Sequence, residues 1–162
     1  MTFYEALQKK WIEREKIPAI RSSLVGKKIV FTNGCFDILH PGHVEYLARA
    51  RDLGDLLWLG LNSDQSVRAL KGESRPINTL VDRAKVLAGL SSIDLISSFS
   101  EQTPLRLIEE IRPQIHCKGG DYKKEELPEY PLLLSLGADI IILPFLEGKS
   151  TTKILEKARI AP

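Results

Sequence analysis

Two histidines three positions apart, His40 and His43, close the run Phe31-Thr32-Asn33-Gly34-Cys35-Phe36-Asp37-Ile38-Leu39-His40-Pro41-Gly42-His43. Spaced that way across a helix start, both imidazoles can face one small volume. Each can then donate a hydrogen bond to phosphate oxygens as negative charge shifts in a transition state. Pro41 and Gly42 sit where a helix begins, so the amides from Gly42 to Glu45 are expected to lack intrahelical acceptors and to point at an anion above them. A single histidine at a helix start is more often a cap or a surface residue, whereas two of them framed by Gly34, Asp37 and Pro41 favour a nucleotide triphosphate. Zinc is the competing chemistry, but His-x-x-His supplies two ligands and neither Cys35 nor Cys117 is spaced to complete a set.

Such a turn needs a strand before it and a helix after it. Lys28 to Phe31 carries a buried-strand run, Gly34 permits backbone angles that other residues resist, and from Val44 the spacing of Val44, Leu47 and Ala48 is helical. Further apolar runs at Leu56 to Leu61, Leu95 to Ser98, Ile115 to Cys117 and Ile140 to Leu143 alternate with helical patterns. One helix is expected behind a capping box, Thr79-x-x-Asp82, ahead of Val81, Ala84, Leu87 and Ala88. Another starts at Thr103 and Pro104, carries Leu105, Ile108 and Ile111, and stops before Pro113. Alternating strands and helices predict an α/β, Rossmann-like parallel five-stranded sheet with helices on both faces, and ligands at the carboxyl ends of the strands. Upstream, Phe3 to Ile17 reads as an amphipathic helix with Tyr4, Leu7, Trp11 and Ile12, followed by a loop from Pro18 to Lys27. The expected organisation is an N-terminal helical extension over 1–26 and a catalytic domain over 27–162.

At 162 residues, 43% hydrophobic and 27% charged, the composition is that of one soluble globular domain with a real core. A net charge of +2 with interspersed signs offers no basic stripe, so nucleic acid is not an expected partner. The apolar run Ala138 to Leu146 is interrupted by Asp139 and Pro144 and is too short for a membrane helix; Met1 to Lys16 lacks the apolar core of a signal peptide. Two distant cysteines fit a reducing compartment, and the cytoplasm is the expected location.

Three later segments carry chemistry. Leu70-Lys71-Gly72-Glu73-Ser74-Arg75-Pro76 puts a mobile cation in a long connection, where it could close over phosphates or be a solvated loop charge. Lys118-Gly119-Gly120-Asp121-Tyr122 follows the fourth strand and pairs a cation with glycines that let a ligand approach the backbone. Gly148-Lys149-Ser150-Thr151-Thr152 brings hydroxyls and free amides to the N-terminus of a final helix, with simple capping by Ser150 as the plainer alternative. That segment is no P-loop, because the required earlier glycine would fall at Leu143. The G-x-G-x-x-G of dinucleotide redox enzymes is absent, and the chain is short for a sugar kinase.

TNGCFDILHPGH resembles the HxGH signature of the nucleotidyltransferase superfamily, which includes cytidylyltransferases. Joined by LNSD, LKGESRP, KGGDY and GKSTT in order, it resembles the adenylyltransferase domain of bacterial ADP-heptose synthases over most of residues 27 to 156. The resemblance implies transfer of AMP from ATP to D-glycero-β-D-manno-heptose 1-phosphate, with Mg²⁺ neutralising the triphosphate, for lipopolysaccharide core assembly. It further implies a homodimer working beside a separate heptose kinase and phosphatase. Carried onto this chain, it implies that His40 and His43 hold the α- and β-phosphates, Lys71 closes over the reacting groups, and Asp37 orients the turn or the incoming phosphate. Thr32, Asn33, Gly34, Cys35, Phe36, Gly42, Lys118, Gly119, Asp121, Ser150, Thr151 and Thr152 are expected around the nucleotide or sugar. Two segments depart from relatives: Leu127 to Asp139 replaces a stretch ending Gly-Gly-Glu-Val, and Glu147-Gly148-Lys149 stands where cytidylyltransferases place an arginine. A cytidylyltransferase acting on glycerol 3-phosphate is the nearest alternative, and an inactive nucleotide sensor a more distant one.

Overall fold

The computed structural model describes residues 1–144 and 148–160. Leu146, the end of the long apolar run, and Glu147, the start of the expected final loop, lie outside the described residues. Five strands, β1 (Ile29–Gly34), β2 (Leu56–Asn62), β3 (Leu95–Phe99), β4 (Ile115–Gly119) and β5 (Asp139–Leu143), form one parallel sheet in the order β3-β2-β1-β4-β5. All five fall on the apolar runs of the sequence. β2 is buried along its whole length, as a central parallel strand covered on both faces must be.

The order reverses between β1 and β4, which leaves a crevice at their carboxyl ends. Among the described residues eight α-helices flank the sheet: α1 (Phe3–Gln8), α2 (Ile17–Ser23), α3 (Pro41–Arg51), α4 (Asp64–Lys71), α5 (Leu80–Ala88), α6 (Leu105–Ile111), α7 (Tyr130–Ser135) and α8 (Thr151–Ile160). Alternate strand residues feed two cores. Val30, Leu57, Leu59 and Leu61 pack with Leu47 of α3 and Leu87 of α5, while Phe31 and Trp58 pack with Ile17 of α2, Ile108 of α6 and Leu133 of α7.

Three expectations need correction. The helix expected over Phe3 to Ile17 stops at Gln8. Beyond it the chain pairs with the edge strand β3: Ile12 N–H donates to the Ile96 carbonyl at 2.8 Å and Ile96 N–H to the Lys10 carbonyl at 2.7 Å. An unpaired sheet edge outcompetes one more helical turn, and Leu7 and Trp11 sit at helical spacing only by coincidence. The loop expected from Pro18 is instead α2, which tolerates Pro18 in its first turn and buries Ile17 completely. In α3 the buried face is Tyr46, Leu47 and Ala50, with Val44 and Ala48 exposed. His43 lies one turn before Tyr46 and Leu47, on the face turned inward.

The capping box at α5 forms in part. Thr79 accepts from the Asp82 amide at 3.3 Å, but the Asp82 carboxylate takes the Thr79 hydroxyl at 2.7 Å and not the Thr79 amide.

Candidate active site

Two close approaches shape the turn between β1 and α3. A Cβ on Gly34 would stand 2.7 Å from the Phe36 ring, and one on Gly42 would stand 2.9 Å from Cε1 of His40 and 3.5 Å from Cβ of Lys149. Phe36 is itself in the left-handed region, at φ 45°. With both glycines small, the His40 and His43 rings stack at 3.8 Å between centroids, and Phe36 sits against His43 at 5.1 Å. Of the amides expected to be free, those of His43 and Val44 turn back onto the His40 carbonyl at 2.9 and 3.3 Å, which narrows the backbone donor set to the very start of the helix.

Electrostatics keep both imidazoles neutral at pH 7. Burial, then the neighbouring His40, then Lys71 push His43 down to about 4, while burial and Lys149 lower His40. Nδ1 of each ring is buried without a hydrogen-bond partner among the described residues. A phosphate between Lys149 and Lys71 would supply the missing acceptor and favour the protonated form, so charge on the pair follows the charge of the ligand.

Asp37 is buried, and its carboxylate is fully engaged within the protein. It accepts from Arg75 Nε at 2.6 Å, from Ile77 N–H at 2.8 and 3.0 Å and from Asn78 N–H at 2.9 Å. Burial alone would raise its pKa, but the two amides and Arg75 outweigh it and hold the carboxyl below its ordinary value. Of the two tasks expected of Asp37, this geometry serves the turn: it fastens the connection after α4 to the histidine segment.

The last helix is fastened to the same turn. Thr151 Oγ1 donates to the Ile38 carbonyl at 3.0 Å. Ser150 caps α8 by accepting from Lys153 N–H at 3.2 Å, so capping and a place beside the ligand coexist in one residue.

A cavity of about 530 Å³ opens at the strand ends. It gathers Asn33, Gly34, Cys35, Phe36, Asp37, His40, Gly42, His43, Lys71, Lys118, Gly119, Ser150, Thr151 and Thr152 of the expected set. Thr32 and Asp121 are not brought to it. Thr32 is fully buried, and its hydroxyl bonds the Tyr46 hydroxyl at 2.7 Å, which in turn donates to the Cys117 carbonyl at 3.1 Å. Strand alternation turns it into the core behind the site. Asp121 is exposed beyond the wall formed by Gly119 and Tyr122.

The cavity also holds residues that sequence reasoning left without a role: Arg75, Tyr46 and Tyr122, with Lys149 beside the histidines. Behind them, Arg83 is buried and donates to the carbonyls of Cys35 and Asn78 at 2.7 and 3.0 Å and to Asp64 at 2.7 Å. An arginine beside Ala84 on the apolar face of α5 was its available signal. Glu129, in the divergent segment, is buried with Oε1 3.6 Å from Lys118 Nζ, and so backs that lysine at the end of β4.

Residues 31–157 match the cytidylyltransferase-like family model. The chain is 53% identical over 151 residues to the bifunctional protein HldE of Campylobacter concisus, covering 91% of this chain and 30% of that protein. It is 56% identical over 135 residues to the bifunctional protein HldE of Haemophilus influenzae, covering 83% and 28%. The chain thus spans about three tenths of the length of these relatives. Among solved structures, a lipopolysaccharide core biosynthesis protein from Thermoplasma volcanium superposes with a TM-score of 0.61 at 28% identity, over 76% of this chain and all of that one. Pantoate-beta-alanine ligase from Francisella tularensis shares the fold, with a TM-score of 0.58 at 16% identity over 93% of this chain and 77% of its own.

Proposed function

The chain belongs to the cytidylyltransferase-like family, and from that premise we propose that it is an adenylyltransferase that moves AMP from ATP to D-glycero-β-D-manno-heptose 1-phosphate. The observation that carries this reading is the stacked His40–His43 pair in one cavity with Lys149 and Lys71. Identity above 50% to two HldE proteins, over 151 and 135 residues, supports the adenylyl donor and the heptose acceptor.

A phosphate oxygen of the sugar attacks the α-phosphorus of ATP in line. The new O–P bond forms as the bond to the β-phosphate oxygen breaks, and pyrophosphate leaves with the electron pair. No residue is covalently modified, so catalysis is positioning and charge stabilisation. His40 and His43 donate to the α- and β-phosphate oxygens and gain proton affinity as charge develops there. Lys149, Ser150 and Thr151 hold the departing pyrophosphate at the start of α8. Lys71 closes from the end of α4, and Lys118, steadied by Glu129, faces the ligand from β4. Asp37 acts indirectly by holding the connection 72–79 in place.

Among the described residues no group of three or more His, Cys, Asp or Glu side chains is arranged to hold a metal. The Asp37 oxygens are engaged as well, so a protein-ligated metal does not fit, and Mg²⁺ belongs with ATP as part of the substrate. Among the described residues no helix is long and apolar enough to cross a membrane. We place the enzyme in the cytoplasm, with 1–26 as an extension of a domain over 27–162, as a homodimer whose sugar substrate is supplied by heptose kinase and phosphatase activities.

Pyrophosphate release tests the reading, with ATP or CTP each offered heptose 1-phosphate or glycerol 3-phosphate. Release with ATP and the heptose phosphate is expected. Turnover confined to CTP and glycerol 3-phosphate would replace it with the cytidylyltransferase alternative.

A further inference from the structure

Arg75 is unlike the other cations of the cavity because half of its task is visible. Its Nε is committed to Asp37 at 2.6 Å, and its backbone is anchored by Arg75 N–H donating to the Gly72 carbonyl at 3.1 Å. The guanidinium is therefore held in one orientation, with 12% of the side chain exposed. Yet Nη2 is buried and has no hydrogen-bond partner among the described residues, and Arg75 lines the same cavity as His40, His43 and Lys71. A guanidinium does not shed its charge, so a buried N–H left without an acceptor is a standing cost unless a ligand meets it. The acceptor that best suits a fixed planar fork is an oxyanion.

The reaction brings two oxyanionic groups, and the cations of the cavity act on different parts of the histidine turn. The charge of Lys149 acts on His40, next to the start of α8. The charge of Lys71 acts on His43, and Lys71 and Arg75 together act on Cys35, on the side of the connection that follows α4. The stacked imidazoles adjoin both sets, His40 feeling Lys149 and His43 feeling Lys71. An in-line displacement needs the incoming oxygen and the leaving pyrophosphate on opposite sides of the α-phosphorus.

We propose that Arg75, held by Asp37, binds the phosphate monoester of the acceptor through its unpartnered Nη2, making it the residue that selects phosphorylated acceptors. This rests on the adenylyl-transfer reading above. The arginine draws the acceptor phosphate against the repulsion of the triphosphate and presents one oxygen to the α-phosphorus, and Lys71 shares the charge.

Steady-state kinetics of Arg75→Met and Arg75→Lys test this, varying heptose 1-phosphate at saturating ATP and the reverse, with thermal unfolding alongside. Arg75→Met is expected to raise KM for the sugar phosphate about ten- to a hundredfold, the worth of one charged hydrogen bond, and to leave KM for ATP within about twofold. Arg75→Lys, which keeps a charge that one nitrogen cannot share between Asp37 and the ligand, is expected to fall between. A rise in both constants together, or a lowered Tm with unchanged kinetics, means that Arg75 only fastens the loop, and overturns the proposal. If Arg75→Met does not fold, an unchanged acceptor KM in Arg75→Lys overturns it equally. A wild-type enzyme inactive with every heptose phosphate would fail the function reading instead. Titration of that enzyme with inorganic phosphate, followed by the ¹⁵N resonances of the Arg75 guanidinium, then still decides: a shift supports the site and its absence refutes it.

Discussion

The edge of the sheet at β3 and the crevice between β1 and β4 are both places where a parallel sheet leaves polar groups exposed to choice, and the chain treats them oppositely. At the edge, residues 10–12 pair with Ile96, Lys10 Nζ donates to the carbonyls of Ala88 and Leu90 at 2.8 and 3.0 Å, and Ser97 Oγ links Trp58 Nε1 to the Ile12 carbonyl. At the crevice, Asn33 Oδ1, Nδ1 of His40 and His43, and Arg75 Nη2 are buried without partners among the described residues. Satisfied groups there would gain stability but leave nothing for a ligand. The contrast separates polar groups that hold the fold from polar groups that wait for a substrate.

Asp37→Ala breaks the contrast most severely, because this one carboxylate both belongs to the crevice and is fully satisfied. Removing it leaves Arg75 charged and without its buried partner, and is expected to cost about 3–5 kcal/mol in urea unfolding together with most of the activity. Full stability in that variant would dissolve the claim that Asp37 fastens the connection 72–79. The histidines sharpen the contrast from the other side. His40→Ala and His43→Ala should each lower turnover by about 100- to 1000-fold with little change in Tm, and wild-type turnover in both would end the phosphate-donor assignment.

An intermediate effect comes from pH. Burial holds His43 at about 4 and, with Lys118 adding to burial, His116 at about 3, both below the value of about 6.5 expected in the unfolded chain. Below pH 6.5 the unfolded chain therefore binds protons that the folded one refuses. Stability is complete above that pH and falls as pH drops from about 6.5 toward 4. His116 is fully buried against Phe31 with neither ring nitrogen bonded to any described residue, so His116→Phe should flatten the acid limb of a Tm-versus-pH curve. An unchanged slope would assign the limb to other groups. The smallest effect is at the edge: Lys10→Met should cost about 1 kcal/mol of stability and leave kcat unaltered, and a drop in kcat would show that the two regions are not separable.

The strands were legible because each is an apolar run of fitting length, and the histidine turn because glycine, proline and histidine occur in an order that few other structures require. What escaped has a common cause. Arg75 meets Asp37 across 38 positions, and Arg83 meets Cys35 across 48, so no local spacing announces either bond. The resemblance puts Thr32 at the ligand with the rest of its motif, while the two-residue alternation of a strand sends it to the opposite face from Asn33. Trp11 mimicked helical spacing to Leu7, and only the vacancy at the edge of β3, which depends on strand order, could have revealed its pairing.

Thr151 reaches the Ile38 carbonyl across 113 positions, and that single bond joins the start of the last helix to the histidine turn. Long separations close late in folding, after local helices and neighbouring strands have formed. As the chain leaves the ribosome, β1, α3 and β2 can assemble while the lysine and hydroxyls of residues 149–152 are still to be made. The two imidazoles thus acquire Lys149 only after all five strands have been made, so a nascent chain that already looks folded still lacks that side of the site.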